Sequence, residues 1–150
     1  MTAPGTPAKL GMLVDTNIIL DLVLRREPHA RDVALLLDAI SKGKARGCIA
    51  GHAVTTVYYV VEKERDRKTA ITAVGDVLLL LEVVELGEPE FQRALAMGLR
   101  DFEDAVQVAA CLKVGAEFLV TRNGKDFKNA PVTTKTAGEV LALLAAREVA

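Results

Sequence analysis

Five short apolar runs recur along the chain: "KLGMLVD", "RGCIAG", "EVVEL", "AEFLV" and "APVTT". Segments patterned as helices lie between the first four. "PHARDVALLLDAISKGK" places Val33, Leu36, Leu37 and Ile40 at helical spacing, opens on Pro28 and stops near Gly43. "HAVTTVYYVVEKERDR" puts Val54, Val57 and Val61 along one face, and "TAITAVGDVLLLL" forms the next helix. "EPEFQRALAMGL" and "DFEDAVQVAACLKVG" read as two more, the second closing on Gly115. "TAGEVLALLAAREVA" reads as a terminal helix opened by a Thr136–Glu139 capping box. Short strands alternating with helices predict an α/β fold, an open, mainly parallel sheet covered on both faces, with right-handed crossovers.

No repeat, low-complexity tract or linker divides the chain, so residues 10–150 are expected to form one domain. The leading "MTAPGTPAK" has one basic residue, two prolines and no apolar core, so it reads as a flexible lead over residues 1–9. The apolar fraction is 51%, yet no apolar run reaches the roughly 18 residues that span a bilayer. The excess fits a sheet covered on both faces plus a subunit interface. Net charge is −1, so no global basic field advertises nucleic acid, and any such partner must be held by local patches or bound metal. Cys48 and Cys111 stand among apolar neighbours without CxxC spacing, as buried thiols do in a reducing cytoplasm.

One apolar run is interrupted oddly. In "LVDTNIIL" the hydrophobes break for Asp15, Thr16 and Asn17, then resume at once. Burying an unpaired carboxylate costs several kcal/mol or forces it to take up a proton, so something must offset it. In a parallel sheet, ligands bind beyond the carboxyl ends of the strands. Asp15 and Asn17 follow the first strand, and Thr55 and Thr56 lie in the first turn after the second. Thr121, Arg122, Asn123 and Asp126 follow "EFLV", and Asp101, Glu103 and Asp104 open the helix leading into it. Each has an ordinary explanation. Asp101 makes a good N-cap, Asp15 could cap "TNIILDLVL", and Asp126 could close a turn. Together they are less ordinary, because carboxylates crowded at one sheet edge repel. A hard divalent cation, Mg²⁺ or Mn²⁺, removes that conflict.

With these residues in place, "LVDTNIILDLVL", "DFEDAVQVAACLKVGAEFLVTRNGKDF" and "PVTTKTAGEVLALL" resemble a PIN domain, the ribonuclease domain of VapC-type bacterial toxins. The resemblance runs from about Lys9 onward. It implies a three-layer α/β/α sandwich, Mg²⁺- or Mn²⁺-dependent cleavage of single-stranded or structured RNA, a cytoplasmic homodimer and a small antitoxin partner. Asp15 matches the family's first acid, and Asp104 matches the acid opening the helix ahead of the fourth strand. Asn123 lies where many members carry another aspartate, and Asp126 matches the aspartate of the Asp-Phe pair that follows. One position departs: the family glutamate after the second strand is replaced by Thr56 or Thr55. Glu62 cannot substitute, because six residues past Thr56 is roughly 9 Å along the helix and about 240° around it.

The expected site therefore has Asp15, Asp104 and Asp126 as metal ligands, with Asp101 sharing the catalytic work. Asn17, Thr16, Thr56, Asn123 and Arg122 would position water or phosphate oxygens. Arg25, Arg26, Lys125 and Lys128 offer further phosphate contacts, with solvated surface as the plain alternative. Tyr58 and Tyr59 read as packing residues before base-stacking ones. His52 lies at the pocket edge. Two other functions compete with the nuclease. A haloacid-dehalogenase-type phosphatase wants a second aspartate two residues after the first, where this chain has Asn17. A catalytically weakened PIN-like binding module would follow from the missing glutamate.

Overall fold

A computed structural model describes residues 10–149, so the expected lead over residues 1–9 lies outside the described residues. Five strands form one sheet in the order β3-β2-β1-β4-β5, all neighbours parallel. They are β1 (Leu10–Val14), β2 (Ala45–Ala50), β3 (Glu82–Val84), β4 (Phe118–Val120) and β5 (Thr134–Lys135). Seven helices among the described residues surround them: α1 (Thr16–Val23), α2 (His29–Ser41), α3 (Gly51–Glu64), α4 (Arg67–Leu80), α5 (Glu88–Ala96), α6 (Phe102–Val114) and α7 (Ala137–Val149). Helices α1, α2, α3, α4 and α7 pack into one group, while α5 and α6 form a pair, with α6 against β1 and β4. This is the covered parallel sheet read from the alternation and the α/β/α sandwich that the resemblance implies. No helix among the described residues is long and apolar enough to cross a membrane.

The central strand explains itself. Met12, Leu13 and Val14 are wholly buried, each side chain contributing about 1.5–3 kcal/mol on leaving water. From β1 the chain steps outward through β2 to β3, then returns across the sheet to place β4 on the other side of β1. The order reverses between β1 and β4. Parallel sheets open a crevice at such a switch point. Its two lips touch directly, since the Asp15 N–H donates to the Val120 carbonyl at 3.0 Å.

Helix ends follow the local chemistry. Thr136 and Glu139 form the expected reciprocal box at 2.9 and 3.1 Å. Asp66 caps α4 by accepting from the Thr69 N–H at 2.7 Å. Gly115, at φ 65°, ends α6 in the left-handed region that glycine occupies without strain. The last strand differs from the sequence reading. "APVTT" is not itself the strand; β5 holds only Thr134 and Lys135, with Thr134 in register with Leu119. Pro131 has no N–H to give a ladder, and pairing begins beyond it.

Candidate functional site

Asp15 stands at the N-cap position of α1 but does not behave as a cap. No first-turn N–H meets hydrogen-bond geometry with its side chain, although those of Thr16 and Asn17 lie near enough to draw its pKa down somewhat. Its carboxylate instead accepts the Thr121 hydroxyl at 2.9 Å. Asp15 is 6% exposed, and burial, the largest influence on it, holds its pKa above the usual carboxylate value. Thr121, also buried, is the pivot of the β4 side, because its oxygen also accepts the Asn123 N–H at 3.2 Å. The turn carrying Asn123 and Asp126 is thereby tied to Asp15.

The acid of α6 shows the strongest electrostatic conflict. Asp104 is raised from 3.8 to about 6, by burial first and then by the charges of Asp101, Asp15, Asp126 and Glu103. Four carboxylates from three parts of the chain thus press on one. Asp101 does cap α6, accepting the Asp104 N–H at 3.0 Å, so part of its carboxylate is engaged structurally. Asp126 and Glu103 are exposed at the rim.

No three His, Cys, Asp or Glu side chains among the described residues close around one point. The expected ligands Asp15, Asp104 and Asp126 share a rim without forming a closed protein cage. That donor set suits magnesium or manganese all the same. Such ions prefer oxygen, retain several waters and are commonly held by one or two carboxylates. A closed all-protein site would need three or more ligating side chains together, and no such group of His, Cys, Asp or Glu forms among the described residues.

Helix α3 brings no acid to the rim. Thr55 and Thr56 donate to the His52 carbonyl at 2.8 and 3.3 Å, back along their own helix. Glu62 is exposed and receives the Tyr58 hydroxyl at 3.4 Å. The His52 ring is a surprise. Both of its nitrogens are buried without a partner among the described residues. Burial lowers its pKa, partly opposed by the Asp15 charge.

Two of the expected phosphate contacts are engaged elsewhere. Arg122 forks Asp21 through Nε at 2.7 Å and Nη2 at 3.0 Å, and Arg26 approaches the same carboxylate at 3.6 Å. Asp21 is fully buried on α1, so these guanidiniums neutralise it. Lys125 and Lys128 are exposed and form no ion pair among the described residues. Asn17 is half-buried beside Asp15 in sequence, and Thr16 is buried and accepts from the Gln107 amide at 3.1 Å.

Sequence reasoning leaves Thr121, Gln107 and Asp21 without roles. For Asp21 a signal exists, a charge on the apolar stripe "NIILDLVL". Gln107 likewise interrupts the apolar run "AVQVAAC", and Thr121 stands among the polar residues after "EFLV", but their partners, 91 and 106 residues away, are not legible in the sequence.

A family model described as PIN domain matches residues 11–125. The chain is 26% identical over 133 residues to Ribonuclease VapC1 of Aquifex aeolicus, covering 85% of this chain and 91% of that protein. Among solved structures it is similar to Mycobacterium tuberculosis VapC20, a Sarcin-Ricin loop cleaving toxin. That match has a TM-score of 0.66 at 16% identity over 79% of this chain and 95% of that one. It is also similar to a chain of a toxin-antitoxin complex from Klebsiella pneumoniae. There the TM-score is 0.62 at 22% identity, over 84% of this chain and 97% of the other.

Proposed function

The chain belongs to the PIN domain family, and on that premise we propose that it is a divalent-metal-dependent endoribonuclease, the toxin of a toxin–antitoxin pair. One arrangement carries the proposal: acids from three parts of the chain, Asp101 and Glu103, Asp15, and Asp126, lie near enough to act on Asp104, whose carboxyl is raised to about 6 by burial first and then by those charges. A cluster so strained in the metal-free state gains most from a cation. The similarity to a ribonuclease and to a Sarcin-Ricin loop cleaving toxin supports RNA as the substrate class.

Asp15 and Asp104 would hold Mg²⁺ or Mn²⁺, with Asp126 and Asp101 reaching it through water. A bound divalent ion acidifies a water and clamps the phosphate. The protein's part is orientation. Thr121 fixes Asp15, Asp101 fixes the start of α6, and Asn123 rides on the turn that Thr121 anchors. Thr16, Asn17 and Asn123 would place water or phosphate oxygens, and Lys125 and Lys128 would take flanking phosphates. Arg122 is better read as a clamp on Asp21 than as a phosphate ligand, because its fork is already matched to a buried carboxylate.

The haloacid-dehalogenase alternative loses its footing with family membership and with Asn17 in place of a second aspartate. The weakened binding module keeps one observation, since Thr55 and Thr56 turn back onto His52 and α3 supplies no carboxylate. An RNase assay with and without Mn²⁺, using Asp15→Asn as control, separates the two. Metal-dependent cleavage lost in the variant supports the nuclease, and RNA binding without cleavage supports the module.

Partners follow from two apolar surfaces. A cavity of about 840 Å³ between α1, α2 and α4 is lined by Leu22, Val23, Leu37, Val77 and Leu80. It suits an apolar protein segment, and the likeness to a chain of a toxin-antitoxin complex supports an antitoxin as the kind of partner. On α5 and α6, Phe91 stacks on Phe102 at 6.5 Å, and Leu95 beside them is 67% exposed. That face suits a second copy of the chain. Sedimentation of the purified protein as a dimer, lost on Leu95→Glu, would bear this out.

A further inference from the structure

Buried polar atoms without partners are rare in folded proteins. Among the side chains of the described residues there are three such atoms, the two ring nitrogens of His52 and the Oε1 of Gln107. All belong to residues that border Asp15: His52 senses its charge, and Gln107 bonds its neighbour Thr16. His52 opens α3 just after β2, and Gln107 reaches from α6 to the start of α1 just after β1.

Gln107 makes the sharper case. Every residue from Ala105 to Cys111 is buried, and Gln107 is the one among them with a strongly hydrogen-bonding side chain. A position serving only to fill the α6–β1 contact would be met at lower cost by Leu or Met. Instead the amide Nε2–H donates to Thr16 Oγ1 at 3.1 Å, and the carbonyl end has nothing to accept from. Turning the amide over only exchanges which end is unpaired. Gln107 lies three residues after Asp104, on the same face of α6 and one turn deeper. Its bond joins the helix bearing Asp104 to the β1–α1 corner bearing Asp15. Because the Thr16 oxygen accepts from the amide, its own hydroxyl proton is free to turn toward another acceptor.

We propose that Gln107 is a positioning residue of the nuclease site, fixing the Thr16 hydroxyl with one end of its amide and a buried site water with the other. It sets how far the Asp15 corner stands from the Asp104 helix. The inference rests on the metal-dependent reading above but concerns a residue that hydrogen-bonds Thr16 and, among the described residues, neither acid.

The test is Gln107→Met in the full chain, which keeps length and volume and removes both polar ends. The metal-free variant should melt within a few degrees of the wild type, since the bond lost at Thr16 is offset by removing an amide whose other end has no protein partner. The kcat for RNA cleavage should fall about 10- to 100-fold with KM near wild type, and the Mn²⁺ concentration giving the half-maximal melting shift should rise by a comparable factor. An unchanged kcat and an unchanged Mn²⁺ midpoint overturn the proposal. So does an activity loss matched by a larger drop in metal-free melting temperature, which is what a packing role produces. If Gln107→Met does not fold, Thr16→Val removes the partner hydroxyl, and an unchanged Mn²⁺ midpoint there overturns it equally. If the wild type binds Mn²⁺ but cleaves no RNA, the ribonuclease reading fails and Gln107 is judged on the Mn²⁺ midpoint alone. A wild type that shows no Mn²⁺ shift removes both.

Discussion

The Thr121 hydroxyl donates to the Asp15 carboxylate at 2.9 Å, joining the ends of two adjacent strands that lie 106 residues apart in the chain. The same oxygen accepts the Asn123 N–H, so one threonine holds both the buried acid and the turn that carries Asn123 and Asp126. Thr121→Val keeps the shape and removes the donor. We expect a loss of about 1.5–3 kcal/mol at neutral pH, the range for hydrogen bonds to charged groups. The loss should shrink in acid, where Asp15 carries its own proton. Urea denaturation at two pH values measures it, and Thr121→Ser should recover most of it.

Asp104 gives the pH dependence. Its pKa is raised from 3.8 to about 6 in the fold, so between those values the folded state holds more protons than the unfolded one. The stability this group contributes is therefore fully present below about 4 and lost as pH rises through 6. Asp104→Asn should flatten that fall and stabilise the metal-free protein at pH 7. Melting temperatures from pH 4 to 7.5 in the presence of a chelator test the sign. A variant less stable than wild type at pH 7 contradicts it.

Metal should reverse the penalty. Mn²⁺ at a hundred times its dissociation constant should add about 2.7 kcal/mol of stability through binding to the folded state alone. Asp15→Asn and Asp104→Asn should each abolish that increment and the RNA cleavage, while circular dichroism shows the fold retained. Full metal-dependent activity in either variant would remove that residue from the site.

Arg122 and Asp21 form a latch between the β4 turn and α1. With Asp21 fully buried, Arg122→Met leaves a carboxylate with only Arg26 at 3.6 Å to balance it. Breaking such a pair costs about 3–5 kcal/mol, and the residual Arg26 interaction places the expectation at the lower end. The double variant Asp21→Leu/Arg122→Met should recover much of the loss, because no stranded charge remains. Measured denaturation midpoints decide it.

For RNA affinity, Lys125→Ala and Lys128→Ala should each weaken binding uniformly across sequences. Each should also reduce the slope of log K against log salt by about 1 for every phosphate that is no longer neutralised. A slope unchanged in both variants places the RNA backbone elsewhere.

Much of the architecture is legible in the sequence because its signals are local. Strand and helix alternation, the Pro28 start, the Gly115 stop and the Thr136–Glu139 box each depend on residues within a few positions of one another. The last strand is misplaced for the opposite reason. Its pairing is decided by where Leu119 presents a ladder, and the apolar look of "APVTT" carries no information about that. Asp15 is conspicuous in the sequence because a charge in an apolar run violates local patterning. Gln107 interrupts the apolar run "AVQVAAC" in the same way, but its partner is not legible there. Arg122 reads as a phosphate contact because Asp21 is far from it in the chain.

Local composition and periodicity thus determined that this chain builds a covered parallel sheet, with an acid at the end of its first strand. Only the tertiary structure decided what surrounds that acid: the hydroxyl that fixes it, the amide behind it, and the carboxylate that Arg122 serves instead of solvent. The physical reason is the crossover at β1 and β4. It brings together side chains whose hydrogen bonds and charges act over a few ångströms of space, whatever the length of chain between them.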